Sequence, residues 1–346
     1  MKYRQRDILR KMLLFFAGVL LLLTACVQED CYDNTRRGNY EALWKIMNEH
    51  YCFFSYKQQE TGVDWDDVHA RYATQVNERM TNAQLFEVLC KMLAELKDGH
   101  VNLAAPFDFG RNWSFHEDYP AQYNDSIAKL YLGYDYAITA GLKYVILDDN
   151  IGYVRCETFE DAIGDGNVSA MLQNLASCNG LIIDVRSNGG GQLTAAQTLA
   201  SHFTNEKMLV GFVSHKTGKG RNDFSSPHKL YLEPASGGVR WQKPVVVLTN
   251  RAVYSAANDF VKCMRYCPNV TIMGDRTGGG SGMPFNSELP NGWVVRYSSV
   301  VYYDRDMQHT EFGIVPDVSI VMSGADIAQK KDTYIEKARE YLSTSQ

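Results

Sequence analysis

Ser255 follows the apolar run KPVVVLTN and the short loop RAVY, and it opens the helical pattern SAANDFVKCMRYC. A serine at such a junction is a favoured helix cap. It is also a nucleophile candidate, because free N–H groups and the positive dipole end of a helix suit a developing oxyanion. Two glycine runs follow other apolar segments: SNGGG at 187–191 and GDRTGGGSG at 274–282. Bare backbone lets N–H groups approach a substrate closely. The first run lacks the third glycine of a dinucleotide loop, since Thr194 stands there, and no lysine follows to make a phosphate loop. His100, in LKDGHVNL, follows a helical segment and taken alone reads as structural. Asp98 reads as a turn former, and Asp184 and Arg186 as a pair that shapes a loop.

The surrounding elements place these residues. NYEALWKIMNEHYCFF, DWDDVHARYATQV and TNAQLFEVLCKMLAEL carry helical spacing, the last with Leu85, Val88, Leu89, Met92, Leu93 and Leu96 on one stripe. They define a helical N-terminal domain over 39–105, followed by an irregular, aromatic connector over 106–148. From 149 onward strands alternate with helices, ending in a helix near 326–342. GLIIDVR and KPVVVLTN read as strands buried on both faces, so the core is α/β. In open sheets of this kind ligands gather at the C-terminal strand ends, where SNGGG, RAVYS and RTGGGSG all fall.

The formal net charge is −5, and no basic block stands out beyond the N-terminus, which argues against nucleic acid as a partner. Basic MKYRQRDILRK and apolar residues 12–25 read as a signal peptide over 1–25. LTAC resembles the bacterial lipobox, which implies cleavage before Cys26, lipid on its thiol, a tether over 26–38 and a location at the cell envelope. The other cysteines are odd in number and irregularly spaced, so they are no disulfide framework, and Cys263 and Cys267 read as buried small residues. No metal motif and no cofactor motif emerges.

LKDGHVNL, IGYVRCETF, GLIIDVRSNGGG, VVVLTNRAVYSAANDF, GDRTGGGS and FGIVPDV occur in this order. Together they resemble the tail-specific, or C-terminal processing, serine peptidases, a family that includes the tricorn core protease. The resemblance implies a crotonase-like ββα core behind an N-terminal helical domain, and hydrolysis of peptide bonds through an acyl-enzyme. It makes Ser255 the nucleophile, and Ala256 with Gly189 or Gly190 the oxyanion hole. Many members carry a lysine base in the glycine segment, but that register falls on Gly280. The tricorn-like branch takes its base from an upstream D-x-H, here Asp98-Gly99-His100, and orients it with a glutamate, here Glu311. Asn258 replaces the usual glutamate after the serine, and Gly99 replaces the serine before the histidine. Family members often insert a PDZ domain, for which residues 106–148 are too few. The expected partners are a peptide or protein substrate and, through Cys26, a membrane. A non-catalytic binder on the same scaffold is the alternative; a carboxylate-pair glycosidase finds no pair placed by spacing.

Overall fold

The computed structural model describes residues 32–111 and 115–344. The signal-peptide, Cys26 and Cys31 readings lie outside them. Four helices come first: α1 (Arg36–His50), α2 (Phe54–Thr61), α3 (Trp65–Ala73) and α4 (Asn82–Ala94). Thr81 and Gln84 close a reciprocal capping box on α4, and Leu85, Val88, Leu89, Met92 and Leu93 are buried on it. Then come β1 (Asn102–Ala105), β2 (Asp108–Arg111), α5 (Asp125–Leu132), β3 (Ala137–Thr139), β4 (Leu142–Ile146) and β5 (Ile151–Arg155). The central run is α6 (Asp165–Asn174), β6 (Gly180–Asp184), α7 (Leu193–Ser201), β7 (Met208–His215), β8 (His228–Leu232), β9 (Val245–Thr249), α8 (Ala256–Met264) and β10 (Val270–Gly274). The chain ends with β11 (Gly282–Glu288), β12 (Val294–Tyr303), β13 (Val318–Ser319), α9 (Gly324–Ala328) and α10 (Thr333–Thr344).

A seven-stranded sheet runs β13-β10-β9-β6-β5-β4-β3, parallel from β13 to β5. Every residue of β6 and β9 is buried. Leu181, Ile183, Val245 and Val247 pack with α6, α7 and α8 on one face. Ile182, Val246 and Leu248 pack with Tyr334, Ile335 and Ala338 of α10 on the other. Each such side chain contributes about 1.5–3 kcal/mol on burial.

The six-stranded antiparallel sheet corrects the expected domain boundaries. Asn102–Ala104 of β1 pair with Val294–Arg296 of β12, so the first helices and a late hairpin share one layer. Val295, Tyr297 and Val301 need an apolar cover, and α1 to α4 supply it. The stretch 106–148 is not irregular either: it holds β2, α5, β3 and β4, strands too short to show a period. The C-terminal helix is two. Asp332 accepts from the N–H groups of Tyr334 and Ile335, restarting the chain as α10, and binds Arg186 Nη1 at 3.0 Å.

Candidate active site

Three turns at the strand ends are laced together. Ser187 N–H donates to Asn250 Oδ1 at 2.8 Å, Tyr254 N–H to Asn188 O at 3.0 Å, and Ser255 N–H to Gly279 O at 2.9 Å. Arg186 is fully buried and bonds Asp184 and Asp332, which fixes the first turn from below. Ser255 stands at φ 56°, ψ −123° as the residue before α8. For a residue with a Cβ this is a strained conformation, costing about 1–3 kcal/mol and held only by surrounding structure. Its side chain makes no cap bond to α8, which removes the plain helix-cap reading.

His100 Nε2 lies 3.0 Å from Ser255 Oγ. The histidine comes from the loop between α4 and β1. Asp98 Oδ1 accepts its backbone N–H at 2.8 Å, and Asp98 Oδ2 accepts from Tyr51 Oη at 2.9 Å and Ser298 Oγ at 3.3 Å. Asp98 is thus the buried anchor of the loop, more than a turn former. Burial pulls the imidazole pKa down to about 4; Asp98 opposes this, while Arg296 and Lys57 add to it. At neutral pH the ring is therefore uncharged and able to accept a proton at Nε2.

Glu311 is not hydrogen-bonded to His100. Its Oε1 meets Lys57 Nζ at 3.0 Å and its Oε2 accepts Ser281 N–H at 2.9 Å. His100 Nδ1 has no hydrogen-bond partner among the described residues. Burial raises the Glu311 carboxyl above the usual range, reinforced by Asp98 and opposed by Lys57. Lys57 also donates to Lys97 O at 2.9 Å and lies 4.1 Å from the Phe312 ring centroid.

Gly190 N–H donates to Asn188 Oδ1 at 2.9 Å and so is spent, which removes it as an oxyanion donor. Gly190 is required for another reason: at φ 106°, a Cβ there would come within 2.8 Å of Ser255 Cβ. Gly189 lies in the same turn, but it is Gly191 that lines the cleft beside Ser255 and Ala256. The cleft has a volume of about 460 Å³, with Leu193, Met283, Pro284, Tyr302 and Arg296 among its walls. Asn258 accepts from Thr277 Oγ1 at 2.7 Å and donates to Thr310 O at 3.2 Å, tying α8 to the loops around it. Among the described residues no cluster of side chains suits a metal ion. Lys57 and Arg296 carried no signal in the sequence: each sits in an ordinary pattern, and only tertiary contact brings Arg296 to the cleft and Lys57 to Glu311.

Residues 150–320 match the peptidase family S41 model and residues 32–94 the tricorn protease C1 domain model. A crystal structure of a candidate peptidase from Parabacteroides merdae is 50 % identical, covers 90 % of this chain and 97 % of its own, and superposes with a TM-score of 0.85. The chain belongs to peptidase family S41, a family of serine-type peptidases. Two curated relatives share less identity with this chain. The carboxyl-terminal-processing protease of Synechocystis sp. is 26 % identical over 57 % of this chain and 46 % of its own length. The tricorn protease of Thermoplasma acidophilum is 25 % identical over 56 % of this chain and 16 % of its own. The chain thus spans less than half the length of these two curated relatives.

Proposed function

We propose that this S41 member is an exported, lipid-anchored serine endopeptidase that cleaves peptide or protein substrates through an acyl-enzyme on Ser255. The 3.0 Å approach of His100 Nε2 to Ser255 Oγ, at a strained backbone position, carries the reading. His100 Nε2 takes the hydroxyl proton as Oγ attacks the scissile carbonyl. The N–H groups of Ala256 and Gly191 face the developing oxyanion. The imidazolium then protonates the leaving amine, and water releases the acyl group by the reverse path. Asp98 is the nearby anion that favours the imidazolium. Glu311 acts through Lys57 and Ser281, as a positioning residue for the glycine loop.

In this reading β4 to β10 form a crotonase-like core without a PDZ domain, and Cys26 carries the lipid at the cell envelope. Hydrolysis of an unfolded protein, with Ser255→Ala and His100→Ala as controls, tests the chemistry. Both variants should lose activity while remaining folded; unaffected turnover in either contradicts it. Radiolabelled palmitate should mark the wild type in cells and leave Cys26→Ser unmarked.

A further inference from the structure

Arg296 lies on β12, opposite Asn102 of β1 and Asn286 of β11. Its sequence neighbours Val295 and Tyr297 are buried in the core beneath the helices. Arg296 is exposed and lines the cleft with Ser255, Met283 and Tyr302. Two residues along the strand, Ser298 donates to Asp98 beside the catalytic histidine. The other charges around the cleft are matched. Asp259 pairs with Lys262, Glu311 with Lys57, and Asp98 is held by Tyr51, Ser298 and the His100 N–H. The Arg296 guanidinium has no hydrogen bond or ion pair with a described residue.

We propose that Arg296 is a specificity residue that receives a carboxylate of the peptide substrate. This rests on the peptidase reading above. A guanidinium presents a planar fork of donors to a carboxylate, and its charge favours an anionic group over a neutral isostere. The arrangement also couples recognition to chemistry. Arg296 is one of the charges that depress His100. A substrate carboxylate seated on Arg296 cancels that field, so the base becomes stronger in the complex than in the free enzyme.

Binding of matched peptides to the Ser255→Ala protein tests this without requiring turnover. Peptides differ only in Glu or Gln around the scissile position, each with a free or an amidated C-terminus. One carboxylate should tighten binding by about tenfold, the effect of one charge-assisted contact. Arg296→Gln should abolish that difference and Arg296→Lys should restore part of it. A preference that follows Glu identifies a side-chain carboxylate; one lost on amidation identifies the chain end. Equal binding of all four peptides, or a preference retained in Arg296→Gln, overturns the proposal. In the active enzyme, the acid limb of kcat should lie higher for the carboxylate substrate than for its amide. A fluorophosphonate adduct on Ser255 reports separately on the peptidase reading, so the two can fail independently.

Discussion

The ring of Tyr254 stands where a side chain on residue 280 would have to go. A Cβ built on Gly280 would lie 2.3 Å from Tyr254 Cζ. The ring stacks on Phe115 at 3.7 Å, tilts against His100 at 5.1 Å, and its hydroxyl accepts the Gly99 N–H at 3.0 Å. Residue 280 is the register at which the family resemblance would set a lysine base. An aromatic ring occupies that space and packs against His100, so a long side chain at 280 has no room unless Tyr254 moves.

Gly280→Ala is therefore expected to destabilise the fold by about 1–3 kcal/mol, from overpacking and from its φ of 74°. It should also displace Tyr254 and lower kcat/KM by at least about tenfold. Denaturant unfolding and peptide hydrolysis read both effects; a stable, fully active variant contradicts the packing argument.

The strain at Ser255 predicts that two variants lacking the hydroxyl differ in stability. Ser255→Gly tolerates φ 56° without a Cβ, so it should gain about 1 kcal/mol over Ser255→Ala, which keeps the strain. Comparing unfolding midpoints of the two variants decides this. Equal midpoints mean the conformation is not strained.

The pH profile follows from burial of His100. With its pKa near 4 in the folded state, the acid limb of kcat/KM should fall near pH 4 and not near pH 6.5. The same shift has a stability consequence. Between about pH 6.5 and pH 4 the unfolded chain binds a proton at this residue and the native state does not, so stability falls as pH falls through that window. His100→Gln should flatten that part of the stability profile.

Lys57→Met leaves Glu311 buried without its cation, at a cost of about 3–5 kcal/mol while the carboxyl stays ionised. Because burial already raises the Glu311 pKa, the carboxyl should protonate on acidification. The loss relative to wild type should thus be larger at pH 8 than at pH 5. A pH-independent loss would mean that Glu311 is neutral throughout or that packing alone is lost.

Much of the site is legible in the sequence. The alternation of buried strands with helices puts three turns at one sheet edge, and the absence of a lysine from Gly280 onward through the glycine loop points upstream to His100. Ser255 reads locally as a helix cap first and a nucleophile second until its backbone angles are known, since no local pattern encodes φ 56° without a glycine. Glu311 bonds Lys57 and Ser281, with no direct bond to His100: nothing near Lys57 in sequence announces that it crosses the molecule to claim the carboxylate. Similarly, β1 is four residues long and pairs with a strand near the other end of the chain, a contact that periodicity cannot reveal.

The central claim is that Ser255 is a nucleophile activated by His100. Intact-mass measurement after treatment with a fluorophosphonate tests it most directly. The account predicts one adduct on the wild type, mapping to Ser255, absent from Ser255→Ala and slowed by orders of magnitude in folded His100→Ala. No adduct on the wild type between pH 5 and pH 9, or normal labelling of His100→Ala, would contradict it.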